Sequence, residues 1–512
     1  MEGSTVSNNL CSEDANLVTH CCSRASLLGN RSIKFCNEPN SSSWSCHRAT
    51  CNRCVDLNWD FYADLSGFGD YSSSRHIMTT YRSIIASAKI GCHLCSLLCE
   101  GIAAVTKSVI DQDILSRDTL QSANLSIQLR RHASTMVSLI GPAGEWEFPV
   151  EFYTSGGLDS QAPGLSIGPA DHVPAELDIH VLSEFAKKHM DVCMGDHPIC
   201  STNDRNSRPT RVLDVGIDAT GQDIVLSTLE DDNALYITLS HCWGDNSSML
   251  TTTSKTIAQH NLGIPFAELP KTFQDAVEIT RRLGFRYLWI DSLCIVQDDK
   301  EDWEIESGKM AAIYRESCLT IAATASADSS GGLFFSRWTS VRKHDQYRKV
   351  NVETFEYHRT FAGTNFVVYA RLKLRNGHEV IVHRYSAENP APLLSRAWAY
   401  QERMLAPRIL HVHMEELFWE CQNDTLCECG EFRWGQELTK QPAYNDSLSL
   451  KGKIACVMAP EVLAEDVHRL WFDIVQEYSQ LALTKESDRL PALSGLASLL
   501  SQKLRTPYLA GL

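Results

Sequence analysis

The runs LYITLS (235–240), FRYLWI (285–290) and CLTIAAT (318–324) decide the fold. Each is a short apolar stretch rich in β-branched and aromatic residues, of the length of a buried strand. Between the first two, Pro270-Lys271-Thr272 opens a helix. Phe273, Ala276, Val277, Thr280 and Leu283 share one stripe of it, Thr272 and Asp275 have capping-box spacing, and Gly284 suits the position just past its end. Between the second and third, Trp303, Met310, Ile313 and Tyr314 mark another amphipathic helix. Strand, helix, strand, helix, strand at this spacing predicts an α/β fold built on a parallel sheet.

Outward from this core the pattern changes. Residues 1–50 hold ten serines, six asparagines and five cysteines with little periodicity, which predicts a disordered tail. From Ile77 to Cys99 the pattern reads as helical, with Ile77, Tyr81, Ile84, Ile85 and Ala88 on one face. After Arg337 the chain is β-rich: FVVYARLKL and EVIVHR flank Arg375-Asn376-Gly377-His378, a hairpin signal. Trp471, Ile474, Val475, Tyr478 and Leu481 predict a late helix. The expected organisation is a tail (1–50), a Cys-rich α+β region (51–230), a core with a β-rich extension (231–425) and a helical C-terminal region (426–512).

The whole chain has 512 residues, 43% hydrophobic and 21% charged, an ordinary globular composition. Its net charge is −16, from 63 acids against 47 lysines and arginines. A protein that grips nucleic acid through phosphates needs the opposite balance, so nucleic acid is not expected as a partner. The start has no basic n-region followed by an apolar core, and the stretch from Ile90 to Val105 is interrupted by His93, Ser96 and Glu100. Neither a secretory leader nor a transmembrane segment is expected. The nineteen cysteines then read as reduced thiols of a cytoplasmic protein.

Some of these thiols have metal-ligand spacing. Cys51-x2-Cys54 and Cys92-x2-Cys95 supply four sulfurs, enough for a tetrahedral structural zinc. Cys193, His197 and Cys200, at i, i+4 and i+7, share a helical face but lack an obvious fourth ligand. For both sets the alternative is a buried free cysteine, which packs as a small hydrophobe.

In a parallel sheet, ligands bind beyond the carboxyl ends of the strands. Those ends carry Ser240, His241, Cys242, Trp243 and Gly244 after one strand, and Asp291, Ser292 and Cys294 after the next. They are candidate ligand-binding residues, with Asp291 also a candidate catalytic acid. Structural roles compete: Asp291 capping a turn, Trp243 packing on the sheet. Glu306 falls on the stripe of Trp303 and Met310, and a carboxylate aimed at a sheet must be paired or hydrogen-bonded, or hold a raised pKa. It reads equally as a catalytic base and as a structural acceptor. A Cys242 or Cys294 nucleophile served by His241 is a poorer arrangement, since neighbours on a strand face opposite ways.

The blocks LYITLSHCWGD, LPKTFQDAVEITRRLGFRYLWIDSLCIVQDD and DWEIESGKMAAIYRESCLTIAATASADSSGGLFFSR resemble the fungal heterokaryon-incompatibility (HET) domain. LSRAWAYQERMLAPRILHV and ELFWEC resemble the segment that follows it, and RPTRVLDVG and GCHLC its lead-in. His241 stands where the family usually has Tyr, and Ala397 where it has Gly. Relatives usually continue past Leu512. The resemblance implies a fungal, cytoplasmic non-self-recognition protein that triggers programmed cell death through protein partners or self-association. It also implies a flavodoxin-like sheet akin to the Toll/interleukin-receptor (TIR) domain. Some TIR domains cleave NAD with a helix-borne glutamate shortly after a tryptophan, an arrangement that Trp303-x2-Glu306 resembles with one residue less. On that analogy NAD is a candidate substrate and Glu306 its catalytic residue; a metabolic role outside incompatibility is a third reading.

Overall fold

The computed structural model describes residues 51–507 apart from breaks, the longest at 58–73, 157–166, 382–390 and 436–448. The expected tail (1–50) and the end at Tyr508–Leu512 lie outside the described residues. All that follows belongs to one unit, 51–512.

The three strands are present as Tyr236–Ser240, Tyr287–Trp289 and Leu319–Ala322, parallel to one another in one sheet. Arg408–Val412 joins them, parallel to Leu319–Ala322. Numbered along the chain, these four strands lie in the order 2-1-3-4. All residues of Tyr236–Ser240, Leu319–Ala322 and Arg408–Val412 are buried, as strands covered on both faces must be. The sheet is wider than expected, and mixed. Five outer strands (Val212–Asp214, Val225–Ser227, Leu417–Cys421, Asp424–Cys427, Arg433–Gly435) each run antiparallel to a neighbour. Short connections such as that from Val412 to Leu417 allow only an antiparallel return.

A second, six-stranded antiparallel sheet has an interlaced origin. Ser74–Thr80, Asn124–Arg130, Thr135–Ile140 and Glu147–Tyr153 pair in succession, and then Thr364–Leu372 and Thr354–Phe361 complete it. The chain thus leaves the nine-stranded sheet, finishes the six-stranded one, and returns. The nine-stranded sheet draws strands from both sides of the expected segment limits at 230 and 425, and the six-stranded sheet from both sides of 230. The His93–Val105 helix lies over the six-stranded sheet. The stretch His93–Asp111 is long and apolar enough to cross a bilayer, but half of it is buried within the protein. Gly101 brings this helix so close that an added Cβ would stand 2.4 Å from the Phe152 ring.

Three local readings are corrected. Ile77 is on a strand, opposite Ile127; the helix begins at Tyr81, because Thr80 accepts the Ser83 N–H as its N-cap. Thr272 and Asp275 do not cap their own helix, Lys271–Arg282, whose N-cap is Pro270. They hold the loop after Leu319–Ala322 instead: Thr272 Oγ1 accepts from Gly332 N (3.0 Å) and Asp275 from Leu333 N (2.7 Å). Finally, Thr364–Leu372 pairs with Thr354–Phe361 and Glu147–Tyr153, while EVIVHR falls largely outside the described residues. Gly284 does close its helix in the left-handed region, at φ +87°.

A third layer is helical. Leu450–Val457, Ala464–Tyr478 and Pro491–Leu504 share an apolar cluster with Ala397–Leu405. Gly495 N donates to Gln401 Oε1 (2.7 Å), fixing the last helix against the Ala397–Leu405 helix.

Candidate functional site

In the 2-1-3-4 order the connections leave Tyr236–Ser240 and Leu319–Ala322 in opposite directions, the arrangement in which open α/β sheets bind ligands beyond the carboxyl ends of those strands. The residues expected there do converge. Trp243 Nε1 donates to Asp291 Oδ2 (2.9 Å), and Asp291 Oδ1 accepts the Ser292 N–H (2.7 Å). His241 Nδ1 lies 3.9 Å from Asp291 Oδ1, with its ring edge-on to Phe273. Gly244 has φ +71°, and a Cβ there would stand 2.4 Å from that of Asp328, so only glycine allows this approach to the neighbouring loop.

The central carboxylate of the cluster is one the sequence reading missed. Glu402 Oε2 accepts the Ser240 hydroxyl at 2.5 Å. The Tyr314 hydroxyl, beside the same carboxyl group, donates to the Leu239 carbonyl (3.2 Å). Burial pushes Glu402 up to about 7, and the Asp291 charge adds to that; Ser240 and Arg396 pull the other way. Arg396 donates to the His241 carbonyl (2.7 Å). Glu402 could have been found by the argument applied to Glu306. It lies four residues after Trp398 and three before Leu405, on their stripe, but Gln401 and Arg403 on either side make it look like surface.

Burial also sets the other groups. It drives His241 down to about 4, so the imidazole is neutral at pH 7. It lifts the thiols of Cys242 to about 11 and Cys294 to about 12. Both stay protonated, which removes the ground for a cysteine nucleophile.

Glu306 is buried, at 1% exposure, as its place on the stripe requires. Its Oε1 accepts from Thr210 Oγ1 (2.5 Å) and from Lys309 Nζ (2.8 Å). Its hydrogen bonds therefore go to the segment before Val212–Asp214 and to its own helix, not to Ser240–Gly244 or Asp291.

The N-terminal cysteines form a second candidate site. The sulfurs of Cys51, Cys54, Cys92 and Cys95 lie within 4.8 Å of one another. Cys51–Cys95 is 3.7 Å and Cys54–Cys92 3.8 Å. Zinc–sulfur bonds of about 2.3 Å in a tetrahedron place sulfurs about 3.8 Å apart. Cys92 is the N-cap of the His93–Val105 helix, and its Sγ accepts the Cys95 N–H. Hydrogen bonds from the Cys54 and Cys95 thiols and this N–H lower Cys92, while the same contacts raise Cys54, so without an ion the cluster favours a single thiolate at Cys92. The donor set thus fits a metal ion.

A mixed α/β protein with a buried polar network where its sheet's connections diverge, and with thiol clusters at its flanks, is the class that these features define. Residues 236–402 match the family model Heterokaryon incompatibility protein (HET), so the chain carries a HET domain. Every residue of the network, from Ser240 to Glu402, lies inside that match. No curated protein and no solved structure matches the chain.

Proposed function

We propose that the protein acts in fungal non-self recognition, and that its HET domain is a signalling module that triggers cell death when a partner protein or a second copy engages it. The observation that carries this reading is the family match over residues 236–402. The 2-1-3-4 order of the parallel strands supports a flavodoxin- or TIR-like core for the module. A signalling role is favoured over NAD cleavage because Glu306, the residue analogous to the TIR glutamate, is tied to Thr210 and Lys309. We place a structural zinc on Cys51, Cys54, Cys92 and Cys95.

One observation favours an enzymatic alternative: Glu402, poised near neutral pH beside Ser240, Tyr314 and Asp291, has the character of an acid–base group. Both readings are tested by expressing the wild type, Glu306→Gln and Glu402→Gln in fungal cells and measuring viability and NAD together. Folded variants that kill while NAD is unchanged support the signalling module. Loss of killing in a folded variant, in step with a loss of NAD consumption, overturns it. Viable cells that accumulate folded wild type under its trigger refute the death function altogether.

A further inference from the structure

We propose a second zinc site, built from Cys193, His197, Cys200 and Cys421. Its ligand atoms lie within 4.8 Å of one another. The first three come from one local turn. Cys193 sits in the last turn of the Ile179–Asp196 helix and His197 is its C-cap. The 3-10 turn Pro198–Cys200 then folds back, with Cys200 N donating to the His197 carbonyl (3.0 Å). Cys421 closes the set from the end of Leu417–Cys421, 224 positions beyond His197.

The sulfur–nitrogen distance has the length of a zinc tetrahedron's edge. With zinc–sulfur bonds of about 2.3 Å and zinc–nitrogen bonds of about 2.0–2.1 Å, a tetrahedral sulfur–nitrogen edge is about 3.6 Å. Cys421 Sγ to His197 Nδ1 is 3.5 Å. The cluster of His378, Glu416, Cys427 and Cys429 serves as the contrast. There His378 Nε2 is 2.8 Å from Glu416 Oε1, an ion-pair contact about half an ångström shorter than a zinc tetrahedron's nitrogen–oxygen edge. Cys427 and Cys429 are 3.3 Å apart, again too close for two zinc ligands.

The surroundings of the proposed site are those of a metal site. With Nδ1 toward the thiols, His197 turns Nε2 to Asp424 Oδ2, 3.5 Å away. A carboxylate behind a ligating imidazole fixes its tautomer and strengthens its donation. Asp424 N also donates to Cys421 Sγ (3.2 Å). This is the i, i+3 bond that Cys95 N makes to Cys92 Sγ in the N-terminal cluster. Cys193, Cys200 and Cys421 are buried and His197 is nearly so, with four protein donors and no place for a substrate, which defines a closed structural site. The ion would clamp a helix that precedes the family match to a strand that follows it. It would thereby hold the antiparallel flank onto the HET sheet.

The test is metal content of the full chain, measured by elemental analysis and native mass spectrometry. Wild type should carry two zinc ions, and Cys51→Ser/Cys54→Ser one. Cys421→Ser should also carry one. Asp424→Asn, which keeps all four ligands, should keep two ions at saturating zinc but lose one to a competing chelator at 10–100-fold lower strength. It also serves if Cys421→Ser does not fold. A wild type with one zinc that Cys51→Ser/Cys54→Ser abolishes would overturn the proposal. So would an Asp424→Asn chelator profile identical to that of wild type.

Discussion

Ser240 donates a 2.5 Å hydrogen bond to Glu402 across 162 positions of chain. It joins the end of the first parallel strand to the helix at the far end of the family match. Because Glu402 is held up near 7, this bond is made between a hydroxyl and a carboxyl group that exchanges its proton around neutrality.

Stability should follow that proton. A carboxyl whose folded value, about 7, lies above its ordinary 4.5 binds more protons folded than unfolded between those pH values. Its contribution is complete below about 4.5 and is lost as pH rises through 7. Glu402→Gln, fixed in a neutral form, should lack this slope. The difference in unfolding free energy between the two proteins should change by on the order of 3 kcal/mol from pH 4.5 to 8. Denaturant titrations across that range measure it, and parallel curves would contradict the assignment. Taking the difference cancels the opposite trend from His241 and His411, both held near 4, which cost stability as pH falls from 6.5.

Much of this site was legible in the sequence, and what was not has definite causes. Ser240 to Gly244 and Asp291 were readable because strand ends in a βαβ pattern point to one edge. Glu402 was hidden by polar neighbours, and Cys421 by its distance along the chain from the trio that needs it. Thr272 and Asp275 have a cap's spacing but serve a loop more than fifty residues away. Local pattern shows which residues share a face; it does not say which distant segment that face meets. The six-stranded sheet was missed for the same reason, since Thr364–Leu372 finds its partner only through the fold.

Glu306→Ala should lower stability by about 1–3 kcal/mol, because Thr210 and Lys309 lose a buried acceptor. Glu306→Gln should lose less, since an amide oxygen can still accept from Thr210. Chemical denaturation of the three proteins ranks them. Equal stability of Ala and wild type would show that the contacts contribute nothing.

Gly244→Ala should destabilise the protein by roughly 1–3 kcal/mol through its left-handed backbone and the collision with Asp328. The collision is with a Cβ, so adding Asp328→Gly should return part of the loss. Additive losses in the double variant would leave backbone conformation as the whole cause.

Cys54→Ser should remove one zinc equivalent and loosen the start of the His93–Val105 helix, where Cys92 and Cys95 are held together. Hydrogen exchange at residues 92–98 should speed up in this variant and, after chelation, in wild type. Unchanged exchange after the metal is stripped would argue that the thiols pack without an ion.

The interlaced strands also set a timetable for synthesis. Glu147–Tyr153 leaves the ribosome long before its partner Thr364–Leu372. At about 5–20 residues per second, that edge stands open for about 10–40 s while the first HET strands emerge beside it. An unpaired edge is a template for other chains. The nascent protein therefore exposes this edge before the HET sheet is complete, and shielding that one strand during synthesis guards the chain against pairing with its neighbours.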